Sequence, residues 1–177
     1  MSDKVQVHYD SLLKETLEPM ASAGLLLVAQ GRRDKPNAMA IGWGSIGSIW
    51  SQPIFIVLVR PSRYTYELLE EDGDFTVNVM PPKMKRAVDL CGSVSGRTHD
   101  KFAEAKMTAA PALHVKTPII AESIIAYECR TMMTNDVPPD RLDRSIRNTA
   151  YANGDFHRLY FGKILCVRAD RKPAHSR

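Results

Sequence analysis

Residues 40–47, AIGWGSIG, set Gly42, Gly44 and Gly47 at the spacing of a dinucleotide-binding loop, and whether they form one decides between two folds. In such a loop the glycines end a strand and open a helix, whose N-terminal N–H groups and dipole hold a pyrophosphate. No helix opens here. The following residues, SIWSQPIFIVLVR, carry Pro53 and then a run of Ile, Phe, Val and Leu that reads as a buried strand. Pro53 fits a strand only at its first position or along an edge. A dinucleotide site also places an acidic residue about 20 positions further on to hold a ribose hydroxyl. Glu67 does not qualify, because it belongs to a helical pattern. The glycines therefore predict β-structure, and the parallel nucleotide-binding fold is set aside.

Upstream, GLLLVAQG and RRDKPNAMAIGWG read as two strands of a hairpin, with Asp34, Pro36 and Asn37 supplying the turn. Downstream of the strand PIFIVLVR, the segment SRYTYELLEEDG has a serine start, apolar Tyr66, Leu68 and Leu69, and a glycine stop at Gly73, which predicts a short helix with Ser62 as its cap. DFTVNVM returns to strand alternation. PPKMKRAVDLCG then carries Met84, Ala87, Val88 and Cys91 at helical spacing, with Gly92 where a C-terminal cap belongs. A loop, SVSGRTHDKF, and an irregular stretch follow. The longest predicted strands are ESIIAYECRTMMTND and FHRLYFGKILCVRAD, separated by VPPDRLDRSIRNTAYANGD, a polar loop or partner-facing insertion. About six strands with two short helices do not alternate as a parallel α/β sheet would. The pattern predicts a mainly β chain, an antiparallel barrel with short helices at its side or ends, with residues 1–177 forming one domain.

Composition narrows the chemistry. Of 177 residues, 44% are hydrophobic and 25% charged, as in an ordinary globular protein. The net charge of +4 is too mild to indicate nucleic-acid binding without a clustered basic face, but it accommodates an anionic ligand. Cys91, Cys129 and Cys166 are odd in number and far apart, which argues against a disulfide framework and a zinc site and for a reducing cytoplasm. No stretch is apolar enough to span a membrane, and MSDKVQVHYD lacks a signal-peptide core. His8, His99, His114, His157 and His175 are scattered without metal-ligand spacing. No serine stands on a nucleophile elbow, so hydrolysis is a poor fit. Cys91 reads as a buried small residue, although its nearness to a basic loop could depress its pKa.

Three polar clusters remain. RPSRYT places Arg60, Ser62, Arg63 and Thr65 at a strand-to-helix junction, where guanidinium groups, hydroxyls and a helix N-terminus can hold an anion. CGSVSGRTHDKF adds Ser93, Ser95, Gly96, Arg97 and Lys101, small residues that let backbone N–H groups approach a ligand beside two cations. In NAMAIGWG, Asn37, Met39, Ile41 and Trp43 alternate with Ala38, Ala40, Gly42 and Gly44, so one strand face carries no bulk. That face serves either close packing against a neighbour or a flat ring.

In this order, NAMAIGWG, RPSRYTYELLEEDGDFTVNVM, CGSVSGRTHDKF and GDFHRLYFGKI resemble the flavoredoxin-like branch of the flavin reductase family, which are FMN-binding split β-barrels. The resemblance runs from about Gly24 to Val167. It implies a homodimer that holds FMN near the subunit interface. Arg60, Ser62, Arg63 and Thr65 would then surround the flavin phosphate and ribityl chain, and Ser95, Gly96, Arg97 and Lys101 would complete that grip. Asn37, Ala38, Met39 and Trp43 would line the isoalloxazine, with His157 and Tyr160 close to the pocket from the same or the partner subunit. The glycines of residues 40–47 would serve close packing beside the flavin. The implied activity is hydride uptake from NADH or NADPH and electron transfer to free flavin, ferric complexes or a protein acceptor, with no metal, membrane or nucleic acid involved and no catalytic side chain assigned. Two alternatives stay open: an FMN-binding electron carrier without nicotinamide activity, and a split barrel that binds haem or nothing and acts as a sensor or structural dimer. The segment from Val137 to Asn153 is expected to set acceptor specificity. The ending ADRKPAHSR is shorter and more basic than in relatives, which bears on the last strand and the dimer surface.

Overall fold

A computed structural model describes residues 4–171, so His175 and the ADRKPAHSR tail beyond residue 171 lie outside the described residues. The elements in chain order are β1 (Lys4–Gln6), α1 (Leu13–Ser22), β2 (Leu25–Ala29), β3 (Asn37–Ile41), β4 (Gly44–Ile49), β5 (Gln52–Val59), α2 (Tyr64–Asp72), β6 (Asp74–Val79), α3 (Lys85–Ser93), α4 (Lys101–Glu104), β7 (Ala109–Ala110), β8 (Ile119–Ile120), β9 (Ile125–Asp136), α5 (Arg144–Ala150) and β10 (Arg158–Asp170). Strands β7 and β8 form a small separate pair. The main sheet runs β3-β2-β6-β9-β10-β5-β4, with β1 added to β10, and every pairing is antiparallel.

The two ends of that sheet, β3 and β4, are consecutive in the chain, and Gly42 and Trp43 alone join them. A two-residue link spans too short a distance for a flat seven-strand sheet, so the sheet must curl until its edges stand side by side. Closure is made by the chain and not by a ladder, which is the split of a split barrel. The opening glycines now separate in role. A Cβ on Gly44 would stand 2.8 Å from the Ile56 carbonyl oxygen and 3.1 Å from Met20 Sδ, so this position requires glycine. Gly42 has only ordinary contact room, and Gly47 has open space within 4 Å. The packing expectation therefore holds for Gly44 and not for Gly47.

Strand alternation sorts the apolar residues into two cores. Leu25 and Leu27 of β2, Phe55 and Val57 of β5, Phe75 and Val77 of β6, Tyr127 and Cys129 of β9, and Tyr160 and Ile164 of β10 fill the barrel. Leu26 and Val28 point the other way and join Ala38, Ala87, Val88 and Cys91 beneath α3. All five residues of β2 are buried, as expected of a strand covered on both faces. The small-residue face of β3 is thus a packing surface: a Cβ on Gly92 would lie 3.3 Å from that of Ala40. Gly92 is not the helix cap expected of it, since α3 continues to Ser93 and Val94 caps it.

Other elements depart from expectation. Gly73 ends α2 in the left-handed conformation (φ 78°), as anticipated, but the N-cap is Arg63 without a side-chain cap bond, not Ser62. Asn37 opens β3 instead of belonging to the turn. Strand β4 and helices α1, α4 and α5 were not anticipated. Helix α1 packs on the barrel through Met20 and through Thr16, whose hydroxyl lies 2.7 Å from that of Tyr127.

One position tests the barrel interior. A Cβ on Gly162 would fall 2.3 Å from Phe75 Cζ and 3.0 Å from Cys129 Cβ. Gly162→Ala is expected to cost about 1–3 kcal/mol through overpacking, read as a lower urea midpoint at unchanged m-value.

Candidate functional site

Strand β3 is hydrogen-bonded on one side only, to β2, which leaves peptide groups of its other side facing a groove. The first turn of α2 and the loop between α3 and α4 form the groove's walls. Two adjoining cavities lie along it, sharing Met39, Ala40 and Arg63. One, of about 380 Å³, is polar and basic, lined by Ser62, Thr65, Ser95, Gly96, Arg97 and Lys101 among others. The second, of about 210 Å³, is shallower and carries Trp43, Leu58, Arg60 and His157.

The walls are held by specific contacts. Asn37 Nδ2 donates to Thr65 Oγ1 at 2.9 Å, tying β3 to α2. A Cβ on Gly96 would lie 1.9 Å from Asn37 Oδ1, so glycine alone lets the loop close on this pair. Lys101 is buried, and its ammonium donates to the carbonyls of Ala38 (3.0 Å) and Cys91 (2.9 Å), fastening β3 to α3. Burial pushes the Lys101 ammonium down, and the Arg63 charge acts in the same direction. Arg97 donates to the Ser62 carbonyl oxygen and pairs with Glu67, lying over the Tyr64 ring. The Arg63 guanidinium, which lines both cavities, is engaged by no side chain among the described residues.

Of the residues singled out from the sequence, the groove therefore gathers Asn37, Met39, Trp43, Arg60, Ser62, Arg63, Thr65, Ser95, Gly96, Arg97, Lys101 and His157. Two stand elsewhere. Ala38 is fully buried beneath α3 and presents only its carbonyl, to Lys101. Tyr160 is 1% exposed in the barrel core with its hydroxyl donating to Glu70, because it and Ile164 fall on the inward face of β10. Arg60 and Ser62 line the groove but are spent on the chain itself. The Arg60 guanidinium donates to the carbonyls of Ala150 and Asp155, each at 2.8 Å, and to that of Gly154. Ser62 donates its hydroxyl to Asp155 Oδ2 at 2.6 Å and its amide to Oδ1. The Cys91 thiol is pushed up to about 11 by burial, not depressed, because desolvation outweighs the nearby Lys101 charge.

Sequence reasoning missed Tyr151 and Asp155. Tyr151 is buried, stacks on Phe156 at 4.8 Å and lies under Arg60. Its hydroxyl meets His157 Nδ1 at 2.8 Å, and the His157 ring stands 5.2 Å from that of Trp43. Burial holds the His157 pKa down to about 4, with the Arg60 charge adding to the effect. The Asn153–Gly154–Asp155 turn was the available signal. Gly154 and Asp155 both adopt left-handed φ, 73° and 54°, which folds Tyr151 back onto the residue six positions later.

An antiparallel barrel split between β3 and β4, with a basic groove along the open edge, defines a class of flavin-binding scaffold. A model of the flavin reductase like domain matches residues 19–176, and the chain belongs to that family. It is a family of flavin-binding proteins, some of them flavin reductases. An uncharacterized protein of Archaeoglobus fulgidus is 31% identical over 134 residues, 76% of this chain and 66% of its own. Another, of Aeropyrum pernix, is 31% identical over 117 residues, 66% of this chain and 43% of its own. The chain thus spans less than two thirds of either relative. Among solved structures, flavoredoxin of Desulfovibrio vulgaris superposes with a TM-score of 0.67 at 26% identity, covering 84% of this chain and 69% of that one. Flavoredoxin from Methanosarcina acetivorans does so with a TM-score of 0.68 at 26% identity, covering 96% and 77%.

The depressed His157 pKa carries a stability consequence. The unfolded chain binds the His157 proton below about 6.5 and the folded chain only near 4, so the histidine's contribution to stability falls as pH drops across that window. His157→Gln is expected to lose less stability than the wild type between pH 7 and pH 4, by a difference of a few kcal/mol at most. Urea midpoints of both proteins at pH 7, 5.5 and 4 measure it; parallel declines would show that His157 titrates normally.

Proposed function

We propose that the groove binds FMN and that the protein is an oxidoreductase taking electrons from NADH or NADPH. The observation that carries this reading is the continuity of a basic compartment, a free strand edge and an aromatic compartment along one groove, with an unengaged Arg63 guanidinium where they join. Family membership supports it. The donor set fits a phosphorylated flavin. Arg63 supplies the phosphate's principal cation, and Arg97 a second that must leave Glu67 in part. Thr65, Ser95 and the backbone near Gly96 offer donors to the phosphate and ribityl chain. Met39, Trp43 and His157 stand beside the ring, and the outer edge of β3 offers main-chain hydrogen bonds to its polar rim. Arg60 and Ser62 act one step back, holding the 150–155 turn in place.

Bound there, FMN supplies the hydride and electron chemistry, and the protein's part is to bind, orient and shield it. The acceptor belongs to one of three chemical classes: free flavin, a ferric complex or a protein. The partner is a second copy of the chain. Across β9, β10 and β5, Met133, Phe161 and Ile56 stand in register on the outer face, with exposed Trp50 6.2 Å from Phe161. This is an apolar row of the kind a homodimer covers.

A purified sample incubated with FMN and freed of unbound ligand is expected to stay yellow and to bleach anaerobically on addition of NADH or NADPH. Retained flavin that neither nucleotide bleaches would replace the reductase with an electron carrier reduced by another protein. Arg63→Ala combined with Arg97→Ala is expected to weaken FMN binding by about 3 kcal/mol, roughly a hundredfold, through loss of charge-assisted bonds. A folded double variant with unchanged affinity would overturn the phosphate assignment.

A further inference from the structure

We propose that Tyr151 is a positioning residue: it holds His157 as the neutral tautomer protonated on Nε2, so that the groove's aromatic compartment presents one uncharged N–H donor to a ring carbonyl oxygen of the bound ligand. The proposal rests on the flavin reading for the identity of that ligand. The tautomer follows from proton counting. The Tyr151 hydroxyl and His157 Nδ1 are 2.8 Å apart in a buried contact, and either could donate. Were Nδ1 the donor, the single phenol proton would be left without an acceptor among the described residues, in a side chain that is 5% exposed, which is costly. Donation by Tyr151 satisfies both groups and places the imidazole proton on Nε2.

That second nitrogen belongs to the groove. His157 lines the compartment with Trp43, and Nε2 makes no hydrogen bond among the described residues. Among the described residues, it is nonetheless not one of the interior polar atoms sealed from solvent without a hydrogen bond, which are Arg168 Nε and Glu128 Oε1, the latter ion-paired with Arg168 Nη2 at 2.9 Å. Nε2 is therefore accessible from the groove.

Burial, more than the charges around it, keeps the ring neutral at physiological pH. Arg60 and Arg63 oppose protonation, Asp155 favours it, and burial outweighs them all. Tyr151 is itself fixed. Arg60 lies 5.1 Å over its ring and donates to the carbonyls on either side of it in the turn, while Phe156 stacks against the Tyr151 ring with 17° between planes. The Val137 amide donates to the His157 carbonyl oxygen at 3.0 Å, which anchors the histidine's backbone where β10 begins. Side-chain rotation is then the freedom left to His157, and Tyr151 removes it.

Two-bond ¹H–¹⁵N spectra of the histidine rings, recorded without flavin between pH 5.5 and 8, read the tautomer directly, with His157 assigned by the signal lost in His157→Gln. The wild type is expected to show neutral, Nε2-protonated His157 throughout. Tyr151→Phe is expected to show a mixture of tautomers and a ring that titrates at higher pH. FMN titrations form the second arm. His157→Leu should weaken binding about tenfold, while His157→Gln, which retains an N–H donor, should stay within about threefold of the wild type. An Nδ1-protonated or charged wild-type ring, or an unchanged tautomer in Tyr151→Phe, overturns the positioning role. Equal affinity in a folded His157→Leu overturns the ligand contact. A wild-type chain that binds no FMN defeats the functional reading and the ligand contact with it, and the tautomer stands or falls on the spectra alone.

Discussion

The two-residue passage from β3 to β4 constrains everything else in this molecule. Because the sheet's first and last strands are joined by Gly42 and Trp43, the sheet has to curl on itself. Because those strands are joined at a corner and not paired, the outer edge of β3 is left with peptide groups that no neighbouring strand takes up. An open edge is ordinarily an aggregation hazard. Here it lies along a groove walled by α2 and the loop after α3. Closure and groove are the same structural event. Gly44 makes the corner sterically possible, with no room for a Cβ beside the Ile56 carbonyl.

The cations of the groove divide by what they are asked to do. Lys101 sits inside the wall, its ammonium desolvated and answered by two carbonyls, so it joins strand to helix at the cost of burying a charge. Arg60 answers three carbonyls of the turn before β10. Arg97 is shared between Ser62, Glu67 and the Tyr64 ring. Arg63 alone is left without such a partner among the described residues. A basic motif in a sequence thus overstates the charge available to a ligand, since three of its four cations already serve the scaffold. The same economy governs Asp155, whose carboxylate takes the Ser62 amide and hydroxyl at the approach to α2.

Much of the fold was legible because burial imposes period-2 patterning. The β2–β3 hairpin, β5, β6 and the two long strands β9 and β10 all follow from it, and the left-handed Gly73 marks the end of α2. The hairpin between β4 and β5 was hidden because its tight turn uses Trp50 and Ser51 at φ 53° and 55°, where Asn-Gly would have announced it. Helix α5 was hidden because its seven residues bury none of their side chains, so no apolar period marks them. The groove was legible as clusters of residue types, and most of those residues do converge. What could not be read was direction. Ser62 turns to Asp155 instead of capping α2, and Tyr160 turns into the barrel, because each orientation depends on a partner more than 80 positions away in sequence.

The proposed neutral donor of the aromatic compartment and the cations of the groove make chemical sense together. The proposed ligand, with a phosphate and a carbonyl-bearing ring, would be gripped by charge at the basic compartment. A protonated histidine beside the ring would add a third cation next to Arg60 and Arg63, whose charges oppose it. An uncharged His157, its ring 5.2 Å from that of Trp43, would still offer the proposed hydrogen bond. Burial keeps His157 uncharged, and Arg60 adds to that through its charge while holding the turn through the carbonyls it binds.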